Sequence, residues 1–292
     1  MRKWALLLIP VFFAGCVNIK IDTDSMAKVG DTKIPKDAKP TTSRNIVFKI
    51  PGKPANFKFE LKNITGDIHV FKAKGKDIRV ELSYPEKALE YLKIYEYRRS
   101  DEAGVLVRKK SKFIERIPRD VRIDMDLYIP DSLGGIELSS VNGDISLPHS
   151  IYAHSFDVGT VSGDIKGNLN SRETSIATVN GDIKLFLKSN SLDVSTVNGD
   201  VRLNIAKFKT ADISGVNASV YVTAPSGLGM VVTCSSVNGS VEVTPSSRAR
   251  ILEESGHFIG KSTKFIIGDG SASMSINTVN GSVHITVADS TI

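Results

Sequence analysis

The chain has 292 residues, 41% of them hydrophobic and 7% aromatic, with 38 Lys and Arg against 32 Asp and Glu. This composition excludes a disordered chain and leaves room for one or two folded domains. The formal charge of +6 is mild and gives no reason to expect a nucleic-acid partner.

The chain opens with "MRKWALLLIPVFFAGC": two basic residues, an apolar run from Trp4 to Ala14, then Gly15 and Cys16. Residues 1–15 read as a signal peptide whose apolar run is too short for a comfortable membrane span. The small residues before Cys16 resemble a bacterial lipobox, with Phe13 where Leu is usual. Cys16 is then the lipid-attached first residue of the mature protein; the alternative is an ordinary secretory signal cleaved near Ala14. Val17 lacks the Asp that resembles an inner-membrane retention signal. The expected location is therefore the exported face of the envelope, anchored through lipid, in the outer membrane if the host has two. With Cys16 acylated, Cys234 has no partner and no disulfide is expected. Residues 16–45, rich in Lys, Asp and Thr, read as a polar tether, and the folded domain as 46–292.

Residues 46–135 alternate apolar and polar in short runs such as "FKFEL", "DIRVELSY" and "VRIDMDLYIP", with one helical turn at "PEKALEYL". They read as an irregular N-terminal β cap that shields the open edge of a larger β structure. Arg98 to Arg122 holds nine basic residues against four acidic ones. Within it Arg108, Lys109, Lys110 and Lys112 are candidate contacts for anionic lipid headgroups or envelope polysaccharide. The alternative is a solvated hairpin with charged edges.

From residue 138 the chain repeats itself: "LSSVNGDISL", "VGTVSGDIKG", "IATVNGDIKL", "VSTVNGDVRL", "ISGVNASVYV", "CSSVNGSVEV" and "INTVNGSVHI", after an early copy "LKNITGDIHV". Aligned on the Asn, most copies recur every 18–21 residues. Aliphatic residues recur four positions before it and three and five after it, which reads as strand, corner, strand. A run of hairpins gives no reason for the same residue in every copy; a solenoid does, because equivalent residues stack at the strand spacing. One such coil buries too few aliphatic side chains to offset its own ordering, so it needs neighbours. The expected fold is all-β: a single-domain β-solenoid, parallel β-helix-like, of about 18–21-residue coils.

Each corner position then has an expected role. The Val before the Asn packs inward. Asn142, Asn180, Asn198, Asn217, Asn238 and Asn280 form a side-chain amide ladder, interrupted at Ser162. Gly143, Gly181, Gly199, Gly239 and Gly281 supply positive φ, with Ala218 the exception. Asp67, Asp144, Asp164, Asp182 and Asp200 cap backbone N–H groups. Stacked carboxylates can also hold Ca²⁺, but the column becomes Ser219, Ser240 and Ser282, and hydroxyls are poor Ca²⁺ ligands. Cys234 sits in an aliphatic column and is expected in the core. Neither an HExxH spacing, a Gly-x-Ser-x-Gly elbow nor a Cys–His pairing occurs, so no metal and no cofactor are expected.

The layout resembles the bacterial adhesin-type, or toastrack, strand-repeat family. The resemblance rests on the "NITGDIHV" opening, the segment ending in "YIP", the serial "TVNGDI" copies, and Gly268-Asp269-Gly270 before the last copy at Thr278 to Gly281. It covers about residues 46–288. It implies a bacterial envelope or membrane-associated protein with a β-solenoid-like fold, and it brings no catalytic residues. The expected function is a non-enzymatic, lipid-anchored envelope protein presenting an adhesion, binding or scaffold surface, with Lys184, Asp193 and Ser195 on its faces. Its partner is expected to be envelope polysaccharide or another envelope protein. Two alternatives stand beside it. One is a β-helix polysaccharide lyase or hydrolase, disfavoured by outward columns of Ser, Thr, Lys and Asn without aromatic subsites. The other is an envelope-stress regulatory module, which needs a signalling partner.

Overall fold

Alternation on either side of each Asn-Gly corner produces two strands per coil, each with one face inward. The computed structural model describes residues 34–256, apart from 112 and 115, and residues 261–289. The expected signal peptide, Cys16, the tether up to residue 33 and Lys112 lie outside the described residues. The first part comprises β1 (Lys39–Thr41), β2 (Asn45–Phe48), β3 (Lys58–Thr65), β4 (Ile68–Lys72) and β5 (Ile78–Ser83), then a short helix, α1 (Ala88–Tyr91), and β6 (Leu92–Arg98), β7 (Glu102–Lys109) and β8 (Asp124–Ile129). The regular coils run through β9 (Ser132–Asn142), β10 (Ile145–Ser162), β11 (Ile165–Asn180), β12 (Ile183–Lys188), β13 (Ser191–Asn198), β14 (Val201–Lys207), β15 (Thr210–Asn217) and β16 (Val220–Pro225). The last part holds β17 (Met230–Asn238), β18 (Val241–Thr244), β19 (Ala249–Gly256), β20 (Lys261–Ile267), β21 (Ala272–Asn280) and β22 (Val283–Ala288).

The strands form a flattened, open β-solenoid with two faces. Strands leading into the corners make the first face, in the spatial order β1, β6, β7, β3, β9, the second halves of β10 and β11, β13, β15, β21, β17, β20 and β19. Strands leaving the corners make the second face: β2, β5, β8, β4, the first halves of β10 and β11, β12, β14, β16, β22 and β18. Coil-to-coil pairing is parallel. Antiparallel strands are added only at the two ends, where they cover otherwise open edges.

Space does not follow sequence at the far end. β21 pairs with β15 on one side and β17 on the other, and β22 lies between β16 and β18. The last repeat therefore slots between the coil of Asn217 and the coil of Asn238, where simple succession would have placed it beyond both.

The core fills the space between the faces. Leu138, Val158, Ile176, Val194, Ile213, Ile276 and Cys234 from the first face meet Ile145, Ile165, Ile183, Val201, Val220 and Val283 from the second. The Val column departs from expectation: Val141, Val161, Val179, Val197, Val216, Val237 and Val279 are half-buried, while Ser140, Thr160, Thr178, Thr196, Ser236 and Thr278, one place earlier, are buried. Period two fixes this. The residues two and four before the Asn share the inward face, and the Val between Thr and Asn belongs to the outward one. The fold also begins before residue 46. Lys39–Thr41, expected in the tether, pairs with β6 and covers its free edge.

Candidate functional site

The corners show what each letter of "TVNGD" does. Thr160 and Thr178 donate their hydroxyls to the carbonyls of Gly143 and Gly163 in the adjacent coil, at 3.1 and 3.3 Å. Thr278 and Ser236 do the same to Ala218 and Gly281. The Asn side chains form one chain of amide bonds: Asn198 donates to Asn180, Asn217 to Asn198, Asn280 to Asn217 and Asn238 to Asn280, each at 2.8 Å. Asn142 pairs in register with Ser162, which separates it from Asn180.

The Asp column caps between coils. The Asp144 N–H donates to Asp67 Oδ1, Asp164 to Asp144, Asp182 to Asp164 and Asp200 to Asp182, at 2.8–3.0 Å. Ser219 continues onto Asp200, Ser282 onto Ser219 and Ser240 onto Ser282. A hydroxyl oxygen accepts the same bond as a carboxylate, which is why Ser replaces Asp without disturbing the column. The bond from the Asp182 N–H, then that from Lys166, holds the Asp164 carboxyl below the usual carboxylate range.

The corner glycines are required mainly by closeness. A Cβ on Gly143, Gly163, Gly181, Gly199, Gly239 or Gly281 would lie 1.9–2.1 Å from the carbonyl oxygen of the neighbouring corner. Of these, only Gly181 and Gly199 have φ in the left-handed range, so the expected need for positive φ holds at those two. Ala218 escapes the clash because its methyl turns inward over Gly215, where the other regular coils carry Thr or Ser.

The basic segment serves the cap's own backbone. Lys109 Nζ donates to the Ile114 carbonyl at 3.1 Å and Lys110 Nζ to the Leu89 carbonyl at 3.2 Å, with Arg108 half-buried beside them.

The outward faces differ in charge. In the row of Glu137, the first face carries Glu60, Glu137, Asp157, Asp193 and Asp212. The second face carries Lys166, Lys184 and Arg202 in one row, with Lys188 and Lys207 further along the strands. Of the residues expected on these faces, Lys184 is exposed, Asp193 half-buried and Ser195 fully buried. The second face also holds aromatic side chains, against the expectation of plain columns. Tyr128 and Phe71 stack at 5.2 Å, His149 lies 6.2 Å from Phe71, and the Arg79 guanidinium sits 4.2 Å over Tyr128. Beside them Lys72, Ala73, Lys74, Asp131 and His149 line an open cavity of about 540 Å³. Further along, Arg202 lies over Tyr221, which stacks on His284 at 4.9 Å. Phe186 stands 46% exposed between Lys184 and Lys188.

Where the cap joins the coils, Lys62 is bonded to both Glu60 and Glu137, the latter at 2.7 Å, and Tyr97 Oη donates to Glu60 at 2.8 Å. Burial opposes the Lys62 charge, yet the two carboxylates together hold its pKa above the ordinary value. The adjacent pair Glu60 and Glu137 thus shares one ammonium. Among the described residues no group of three or more His, Cys, Asp or Glu side chains is placed to hold a metal ion.

These corners and faces are those of a repeat-built β-solenoid, and the chain belongs to the Toastrack DUF4097 family, which it matches over residues 120–286. Among solved structures, it is similar to a candidate adhesin from Bacteroides fragilis at 12% identity and a TM-score of 0.43, covering 87% of this chain and 98% of that one. A candidate cell adhesion protein from Clostridium sporogenes shows 14% identity and a TM-score of 0.32, covering 86% and 100%. A candidate lipid binding protein from Parabacteroides distasonis shows 10% identity and a TM-score of 0.30, covering 86% and 97%. No curated protein matches the chain.

Proposed function

We propose that the protein is a non-enzymatic, lipid-anchored envelope protein whose solenoid presents its outward faces as an adhesion surface. The observation that carries this reading is a separation of charge along the solenoid. Residues 34–131 hold 22 Lys and Arg against 15 Asp and Glu, a formal +7; residues 132–289 hold 11 against 14, a formal −3. The first 33 residues join the molecule at its basic end, next to β1. Attachment through Cys16 would set that end against anionic headgroups and point the acidic coils away from the membrane.

The test is palmitate labelling and membrane fractionation of the full chain beside Cys16→Ala. The expected result is a labelled, membrane-bound wild type and an unlabelled, released variant. Equal fractionation without label in either would refute the anchor.

A further inference from the structure

We propose that the second face binds an acidic polysaccharide, a chain of uronic-acid type, across a site centred on Phe186. This rests on the reading of the solenoid as an envelope binding surface and names what the surface takes.

Phe186 projects from the middle of β12, near the centre of the regular coils, and is 46% exposed. A large ring left open on an outward sheet face loses the burial that would stabilise it, and Asn or Thr fill its row nearby without that loss. Its row neighbours are Asn168 on one side and Asn204 on the other. Along its own strand it lies between Lys184 and Lys188. One apolar ring flanked by two carboxamides and two ammonium groups matches a pyranose that carries a carboxylate. The ring packs against C–H groups, the carboxamides exchange hydrogen bonds with hydroxyls, and the cations meet the acid.

Two further observations point the same way. The pairing of β12 with β14 slips by one residue after Leu187, so that Lys207 comes level with Lys188. Like charges set side by side across a strand pair are unfavourable, and bulges often re-aim side chains at binding sites. Here the irregularity brings two ammonium groups together at the edge of the Phe186 surface. On the corner side, Lys184 stands between Lys166 and Arg202, one strand apart each, or about 4.8 Å. Asp164 and Asp200 hold Lys166 and Arg202 at 2.9 and 2.7 Å, which fixes the row. The spacing is that of an array laid across the strands, suited to a polymer with charge on successive units. The opposite face, with Asp157, Asp193 and Asp212, would repel the same polymer, so the charge separation gives sidedness. A lipid surface fits less well, because Phe186 stands alone among polar residues where membrane binding needs a continuous apolar face.

The experiment uses the full chain in detergent, titrated with polygalacturonate, neutral dextran, dextran sulfate and phosphatidylglycerol vesicles. Polygalacturonate should bind and dextran should not. Phe186→Ala should weaken polygalacturonate binding about tenfold, the scale of one anchor residue. Lys188→Glu should weaken it and flatten its salt dependence, while Asp212→Asn on the other face leaves it unchanged. Equal affinity for dextran sulfate with no effect of Phe186→Ala would reduce the site to bare charge and overturn the proposal. So would absence of polygalacturonate binding, or vesicle binding that depends on Phe186. Cys16→Ala separates the two readings: it should keep its glycan affinity whether or not the anchor exists.

Discussion

Asn280 donates its side-chain amide to Asn217 Oδ1 at 2.8 Å, across 63 residues of sequence, and accepts the amide of Asn238 at the same distance. The ladder is continuous through five coils although the chain visits them out of order. An inner rung such as Asn198 makes two such bonds, and Asn180, next to Ser162, makes one. At about 0.5–1 kcal/mol per bond, Asn198→Ala should lose about twice the stability that Asn180→Ala loses, read from urea denaturation midpoints.

The glycine column should be far less tolerant. Gly181→Ala places a Cβ 1.9 Å from the Gly163 carbonyl oxygen and should destabilise by about 3 kcal/mol or more, whereas Gly75→Ala meets nothing within 4 Å and should be near neutral. The coil of Gly215 and Ala218 suggests the remedy. Thr178→Gly combined with Gly181→Ala should recover part of the loss by giving the methyl the same inward space. Thermal melts of the single and double variants decide this; a strictly additive double variant would contradict it.

Asp164 is an acid-sensitive rung. Its carboxyl lies below the usual range because it accepts the Asp182 N–H and, second, bonds Lys166. A depressed folded pKa stabilises above the unfolded value of about 3.9, and that contribution fades as pH falls through the lower folded value. Asp164→Asn should therefore show a shallower loss of stability with acidification than wild type. Parallel pH curves for the two would contradict this role.

Cys234 titrates in the opposite sense. Burial pushes its thiol up to about 12. The folded state is favoured below the unfolded value of about 8.5 and loses that advantage as pH rises towards the folded one. At pH 8 a thiol reagent should not label Cys234 in the native protein and should do so on unfolding in denaturant.

Lys62 joins the cap to the first regular coil. Lys62→Met leaves Glu60 and Glu137 side by side without their cation and should cost about 3 kcal/mol in denaturant unfolding. Converting both glutamates to Gln in the same variant should restore most of it. No recovery would mean that packing of the lysine stem, not its charge, holds the joint.

Much of this architecture is written in the repeat columns. The apolar positions and the Thr, Asn and Asp columns mark coils and corners because each coil repeats one local problem. The Val column misleads because period two must be counted from the aliphatic four before the Asn, and that count places Thr178, not Val179, inside. The order of the last coils is not legible, since a corner such as Thr278 to Ser282 fits against any other corner of its kind. Phe186 is one letter in one copy. Its meaning depends on Asn168 and Asn204, 18 residues away on either side, and on a register slip that no column reveals. The stack of Tyr128, Phe71 and His149 joins three irregular segments and leaves no periodic trace.

The slot filled by β21 and β22 has a consequence for timing. A chain emerging from its N-terminus can zip coil onto coil as far as Asn217, then must wait. Residues 230–244 have no parallel neighbour until 272–288 arrive. The closure therefore belongs to residues 272–288, and a chain cut short after residue 271 would keep open edges on both faces. Closure of both faces waits for these residues, so that edge exposure would report a chain stopped before them to whatever protease or chaperone meets it.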